Sequence, residues 1–292
     1  AATRWHALYE ARLAWATVYL GPRWWRTHQL AWVEQDVPAA DLDAAVVELS
    51  ATRRVLSLNV DLDAGGLLAA IAVADYRTAG RPLLSGLTKP RASHLATELH
   101  STVSRWRIGA LPDDSRNSES PSLRNPGAGP PEERVRTLAA VLGPDPRRPV
   151  TDIADACHVS YMTASRWLTH ALAEGDLGIR IDVAPEVAVR PVGLHWWLRA
   201  PDSDHDALVS ALLAQSDVRW VAGVLSTTGA TVFAAAWTHD LAAARQLTAR
   251  VADRCPTALT VRQVVTLQPV KRLGWLVDRE TGRRGDYISL EV

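Results

Sequence analysis

The residues best placed to do chemistry sit in one short stretch. Ser160, Tyr161, Met162, Thr163, Ser165 and Arg166 open a predicted helix directly after the tight turn His158-Val159-Ser160. Hydroxyls, a phenol and a guanidinium on the first turns of a helix suit phosphate oxygens and base edges. Arg147 and Arg148 stand just before the preceding short helix, where cations grip phosphate. A second set is sparser. His195 lies between apolar positions of a predicted strand, and Arg199 stands near its end. No phosphate loop, dinucleotide Gly fingerprint or Ser/His/Asp motif accompanies them. The nine histidines and two cysteines show no metal-ligand spacing, so neither metal nor cofactor is expected.

Three predicted helices carry the first set. Glu132–Leu142 places Val135, Leu138, Ala139 and Leu142 on one face, and Gly143-Pro144-Asp145-Pro146 stops it. Val150–Cys157 is short, with Thr151 read as its N-cap and Cys157 as a core thiol. Ser160 caps the third helix, Tyr161–Glu174, and Gly175 ends it. A short helix, a three-residue turn and a longer helix make a DNA-reading helix-turn-helix. The competing reading is a plain helical subdomain with a solvated polar face, since residues 132–180 hold six Arg against seven Asp or Glu.

An internal repeat organises the rest. At an offset of 163, Pro22 meets Pro185, Pro38 meets Pro201, Asp41 meets Asp204 and Gly66 meets Gly229. Each copy reads strand, helix, strand, strand, helix, strand, the ferredoxin-like βαββαβ order. In the first copy, Leu83, Leu84 and Leu87 mark the second helix; in the second, Leu259–Val270 is one closing strand. Each sheet has one face left apolar, which the sister sheet is expected to cover. Trp5 to Leu13 parallels the end of the third helix, so the first helix-turn-helix is cut through and cannot read a groove. The absent initiator Met fits either a trimmed start or a piece of a longer chain.

The expected organisation is a remnant helix-turn-helix and hinge strand (1–26), a first ferredoxin-like effector domain (27–108), a Pro/Ser-rich linker (109–131), a helix-turn-helix domain with hinge strand (132–184), a second effector domain (185–275) and a tail (276–292). The fold class is therefore α+β. Equal numbers of basic and acidic residues, 32 each, mean that any DNA affinity must come from a local surface. No apolar run reaches membrane-span length and no signal peptide is evident, which places the protein in the cytoplasm without a membrane partner. The twelve tryptophans cluster on predicted strands and are read as core and interface packing, with an aromatic-lined pocket between the sheets as the other reading.

Together, Thr151-Asp152-Ile153-Ala154 through Ser160-x-x-Thr163, Leu172 to Leu177, Val224 to Gly229 and Val270-Lys271-Arg272 resemble the Lrp/AsnC (feast/famine) family of transcriptional regulators. The resemblance implies a regulator that binds double-stranded DNA through the eight residues named first. It also implies an intramolecular pseudo-dimer, further homo-oligomers, and no enzyme activity. A small-molecule effector, an amino acid or related metabolite, would sit near the Gly-containing turns: Thr227, Thr228, Gly229 and Ala230, and Asp63, Gly65 and Gly66. The family's Gly-Asp-Tyr is missing from both turns; Gly285-Asp286-Tyr287 in the tail is read as coincidence. Two alternatives stand beside the regulator. One is an effector-binding or oligomerisation module without DNA activity. The other is an enzyme like the siroheme decarboxylases, which resemble this family in architecture; His195 or Arg199 in the intersheet cleft would then act.

Overall fold

The computed structural model describes residues 2–61, 65–73, 80–101, 129–265 and 267–291. Expected Asp63 and most of the linker lie outside them. The first copy comprises α1 (Ala2–Glu10), β1 (Ala14–Leu20), β2 (Gln29–Asp36), α2 (Leu42–Ala51), β3 (Val55–Asp61), β4 (Gly66–Val73) and β5 (Ala92–Ser101). Three helices follow, α3 (Glu132–Leu142), α4 (Val150–Cys157) and α5 (Tyr161–Ala173). The second copy has β6 (Leu177–Val183), β7 (Val192–Arg199), α6 (His205–Leu213), β8 (Val218–Ser226), β9 (Val232–Thr238), α7 (Leu241–Arg254), β10 (Leu259–Val264) and β11 (Leu267–Arg272). A tail hairpin, β12 (Trp275–Val277) and β13 (Arg284–Tyr287), closes the chain. The architecture is α+β.

β1 and β6 pair antiparallel, Thr17 opposite Arg180. All other strands join one sheet, in the order β10-β7-β9-β8-β5-β2-β4-β3-β11-β12-β13. β5 begins on β2, through Ala92–Leu95, and crosses to β8, through His94–Ser101. β10 lies on β7, but β11 lies on β3. Only residues 265 and 266 separate β10 from β11, so the strand order returns on itself through the chain. Each copy therefore lends its last strand to the other.

Alternation along the strands sends successive side chains to opposite faces. Ala31 and Val33 pack with Ala45, Val46 and Leu49 of α2. Leu194, Trp196 and Leu198 pack with Leu208 and Leu212 of α6 and Leu247 of α7. The inward residues of both copies form one further cluster, including Leu30, Trp32, Leu56, Leu68, Trp197, Val224 and Phe233. Each large ring buried there removes ~150–250 Å² from water, roughly 4–6 kcal/mol of transfer free energy. A separate cluster ties α3, α4 and α5 to the hinge strands through Val18, Leu20 and Trp24.

Three local expectations change. Residues 81–91 carry no helix; Pro82, Gly86 and Pro90 break any helical run, and Leu83, Leu84 and Leu87 pack on the first copy's core from irregular backbone. α4 is preceded by Pro149, not capped by Thr151, because the helix starts two residues earlier than a Thr151 cap requires. The closing strand divides where it passes from β7 to β3. The tail's Gly285-Asp286-Tyr287 belongs to β13, whose Tyr287 stacks edge-on against Trp275 at 5.2 Å.

Candidate functional site

Between the inward faces of the sheets and the hinge strands lies a cavity of about 550 Å³. That is ample for a small organic ligand. Its walls are aromatic. Trp32 meets Trp220 edge-on at 6.3 Å and Phe233 at 4.5 Å. Trp25, Trp237 and Tyr287 also line it. The tryptophans thus serve both readings made of them: Trp196 and Trp197 are buried packing, while Trp32, Trp220 and Trp237 face the cavity.

Charge enters from β6 and β11, and an imidazole from β7. Arg180 donates to Asp182 Oδ1 through Nη2 at 2.8 Å and Nε at 3.0 Å, and Arg272 Nη1 donates to the same oxygen at 3.2 Å. Two guanidiniums therefore share one buried carboxylate, whose Oδ2 has no partner. Arg180 also lies 5.6 Å from the centre of Trp237. His195 stacks on Phe233 at 5.9 Å, and its buried Nδ1 has no hydrogen-bond partner. Burial, then the nearby Arg272 and Arg180, push its pKa down to about 3, so the ring is neutral at pH 7. A recess of about 40 Å³ shares Arg180, Arg272, Trp220 and Trp237 and adds Arg190 and Arg219. Arg53, which donates to Ser289 O, and Arg136, paired with Glu132, line the cavity elsewhere. The arrangement is an aromatic cavity with surplus positive charge and one imidazole whose Nδ1 has no partner. It suits an anionic ligand with an aromatic body.

The helix-turn-helix residues and the turn residues expected from sequence fall elsewhere. On the helix-turn-helix, Ser160 Oγ accepts from Thr163 N, while Tyr161, Met162 and Arg166 are exposed and Thr163 and Ser165 half-buried. Arg148 is exposed; Arg147 is paired with Asp145 and lies over the ring of Tyr9 at 4.6 Å. At the second copy's turn, Arg199 closes over the backbone, donating to Gly229 O at 2.7 Å and Thr228 O at 2.8 Å. Thr227 is held by Ser93, and Ala230 is buried in the inner core. At the first copy's turn, Gly65 has φ +64°, and a side chain on Gly66 would strike Gln35 O. None of these turn residues lines the cavity. Beneath the second turn, Ser226 Oγ meets His94 Nδ1 at 2.8 Å and Glu34 meets His94 Nε2 at 2.9 Å. Arg91 and Arg262 flank that Glu34, and His94, Arg262 and Arg91 hold its pKa below the usual range despite burial.

Sequence reading found His195 but missed Arg180, Asp182, Arg272, Arg53 and Arg136. The one available signal was alternation: Arg180 and Asp182 share a face of a strand whose neighbours are apolar. Among the described residues no group of three or more His, Cys, Asp or Glu is placed to hold a metal, and no helix is long and apolar enough to cross a membrane.

No protein-family model matches the sequence, and no characterised protein matches it significantly. Solved structures do. The siroheme decarboxylase NirDL superposes with a TM-score of 0.54, at 13% identity, over 93% of this chain and 81% of that one. NirDL in complex with an iron-uroporphyrin III analogue gives 0.52 over the same shares. The leucine response regulatory protein LrpA of Mycobacterium tuberculosis matches 47% of this chain at 16% identity, covering 91% of its own, with a TM-score of 0.40. The expectation of a protein without enzyme activity is corrected by the first two matches, since the likeness that spans nearly the whole chain is to an enzyme. At these identities the likeness establishes the fold: this chain has the two-copy α+β architecture seen in NirDL.

Proposed function

We propose that this chain is a decarboxylase acting on a carboxylate-bearing tetrapyrrole of the siroheme type. The observation that carries the reading is His195, unpartnered in an aromatic slot beside two guanidiniums that share one carboxylate. Trp32, Trp220, Phe233 and Trp237 surround the macrocycle with apolar surface, some by ring face and some by ring edge. Arg180, Arg272, Arg53 and Arg136 hold carboxylates that do not react. The reacting carboxylate points among the rings beside His195, where it loses hydration that carbon dioxide does not need. Its C–C bond breaks, carbon dioxide leaves, and the electron pair stays on the carbon attached to the macrocycle. His195 delivers a proton to that carbon and is reprotonated from water.

The depressed pKa of His195 fits this sequence of events. Burial first, and then Arg272 and Arg180, disfavour its protonation. Incoming carboxylates offset the arginine charges and bring a counter-ion beside the ring, which favours its protonated form as the substrate arrives. Titration of the protein with iron uroporphyrin III tests the binding step. Saturable quenching of tryptophan fluorescence, weakened by Arg272→Gln, is expected; no quenching, or none that Arg272 affects, contradicts the assignment.

A second reading keeps DNA binding by α4 and α5, supported by the exposed Tyr161, Met162 and Arg166 at the start of a capped helix. Salt-sensitive binding to the protein's own upstream DNA, lost in Arg166→Ala, is the result that supports it.

A further inference from the structure

We infer that His100 and His205 form a binding site for one divalent transition-metal ion of the Zn2+ type, at the seam between the two copies. The inference is independent of the reaction proposed above, because none of the residues involved lines the cavity. Its ground is an irregularity in one strand pairing. β5 runs beside β8 with its register broken twice, between Ala96 and Glu98 and again between Leu99 and Ser101. Thr97 and His100 are the residues left over, and such bulges re-aim a side chain out of the regular alternation. Both approach Gly223, in the interior of β8. A side-chain carbon on Gly223 would lie 2.9 Å from Thr97 Oγ1, 3.7 Å from His100 Nε2 and 3.8 Å from His205 Nε2. Glycine in mid-strand gives up packing, and it marks places where something else comes close. Here three polar side chains, two from β5 and one from the start of α6, converge on the space it leaves open.

The convergence has the chemistry of a nitrogen-ligated cation. His100 Nε2 is buried and has no hydrogen-bond partner. The two ring centres are 6.1 Å apart and their planes lie at 56°. Imidazoles that share one ion through nitrogens at ~2.0–2.1 Å have ring centres about 5–6 Å apart, so small side-chain rotations complete the pair. His100 Nδ1 stands 3.8 Å from Glu98 Oε1. A carboxylate behind the second ring nitrogen orients a ligating histidine and raises its basicity. Imidazole nitrogen selects Zn2+, Cu2+ or Ni2+ over Mg2+ and Ca2+, which take oxygen ligands. Two protein nitrogens leave the ion's remaining positions to the Thr97 hydroxyl and water. The two histidines come from different copies, so the bound ion clips α6 of the second copy to β5 of the first, where β5 has passed from β2 to β8.

The test is calorimetric titration of the full chain, first dialysed against a chelator, with Zn2+ alone. The wild type is expected to bind one ion per chain at this site, and Cu2+ in its place should give an electron paramagnetic resonance spectrum split by two nitrogens. His205→Ala removes one ligand; Gly223→Ala removes none but fills the space. Both are expected to weaken binding at least about 10-fold, His205→Ala the more, since even loss of an outer-shell partner costs about that much. His158→Asn, on the helix-turn-helix, should bind as the wild type does. Circular dichroism checks that each variant folds, and the wild-type titration is decisive without them. Absence of one-to-one binding by the wild type overturns the inference. So does binding of equal affinity in His205→Ala and Gly223→Ala, which would assign the ion to other histidines. Because the readout is the ion itself, failure here leaves the decarboxylase reading standing, and failure of that reading leaves this one.

Discussion

Asp182 is the position where the site's charge balance can be read as stability. Its carboxylate is 2% exposed and is the counter-charge for both Arg180 and Arg272, whose side chains are themselves only 17% and 22% exposed. Asp182→Asn keeps the shape and removes the charge. Two largely buried guanidiniums are then left without compensation, and breaking a buried pair from one side costs about 3–5 kcal/mol. In a chain of this size each kcal/mol corresponds to roughly 2–4 °C, so a fall in Tm of about 6–20 °C is expected. The variant should also gain more than the wild type from anions. A carboxylate ligand entering the slot supplies the missing charge, and a ligand bound only by the folded state at 100 times its Kd returns about 2.7 kcal/mol. Differential scanning fluorimetry with and without iron uroporphyrin III measures both effects. A Tm within about 2 °C of wild type, or equal ligand-induced shifts in the two proteins, would refute the view that Asp182 neutralises an anion-binding pair.

Other outcomes follow from the same structure. His195 has its folded pKa pushed down to about 3, against about 6.5 when unfolded, so its contribution to stability is complete above pH 6.5 and is lost as pH falls toward 3. The slope approaches roughly 1.4 kcal/mol per pH unit in that window, and urea melts should show a shallower acid limb in His195→Asn. Tetrapyrrole affinity should rise as pH falls through the same window, because binding takes up a proton; pH-independent affinity by fluorescence titration would contradict this. Arg199→Ala removes the cover from the Thr228 and Gly229 carbonyls and should cost about 1–3 kcal/mol of stability without changing tetrapyrrole affinity, since Arg199 lies outside the cavity. Arg166→Ala should leave decarboxylation untouched, and equal DNA binding by mutant and wild type would remove the second reading.

The helices and most strands were legible because their signals are local. α3 and α4 have the bounds that periodicity and Pro/Gly punctuation predict, and Ser160 caps α5 as its hydroxyl type suggests. The exchange of last strands was not legible. Leu259–Val270 reads as one apolar strand, and nothing local records that Val264 pairs on β7 while Leu267 pairs on β3. The site was half legible for the same reason. His195 drew notice as a polar residue among apolar ones. Arg180, Asp182 and Arg272 come from strands about 90 residues apart, and their shared charge exists only once β6 and β11 are brought together. The Gly-containing turns were legible as turns, but sequence does not record Arg199 closing over the second of them from a neighbouring strand.

The most direct test of the account is mass analysis of siroheme after anaerobic incubation with the purified chain, wild type beside His195→Asn. The account predicts products lighter by whole carbon dioxide units with the wild type and unchanged siroheme with the variant. Unchanged siroheme with a folded, tetrapyrrole-binding wild type, or equal conversion by both proteins, would contradict it.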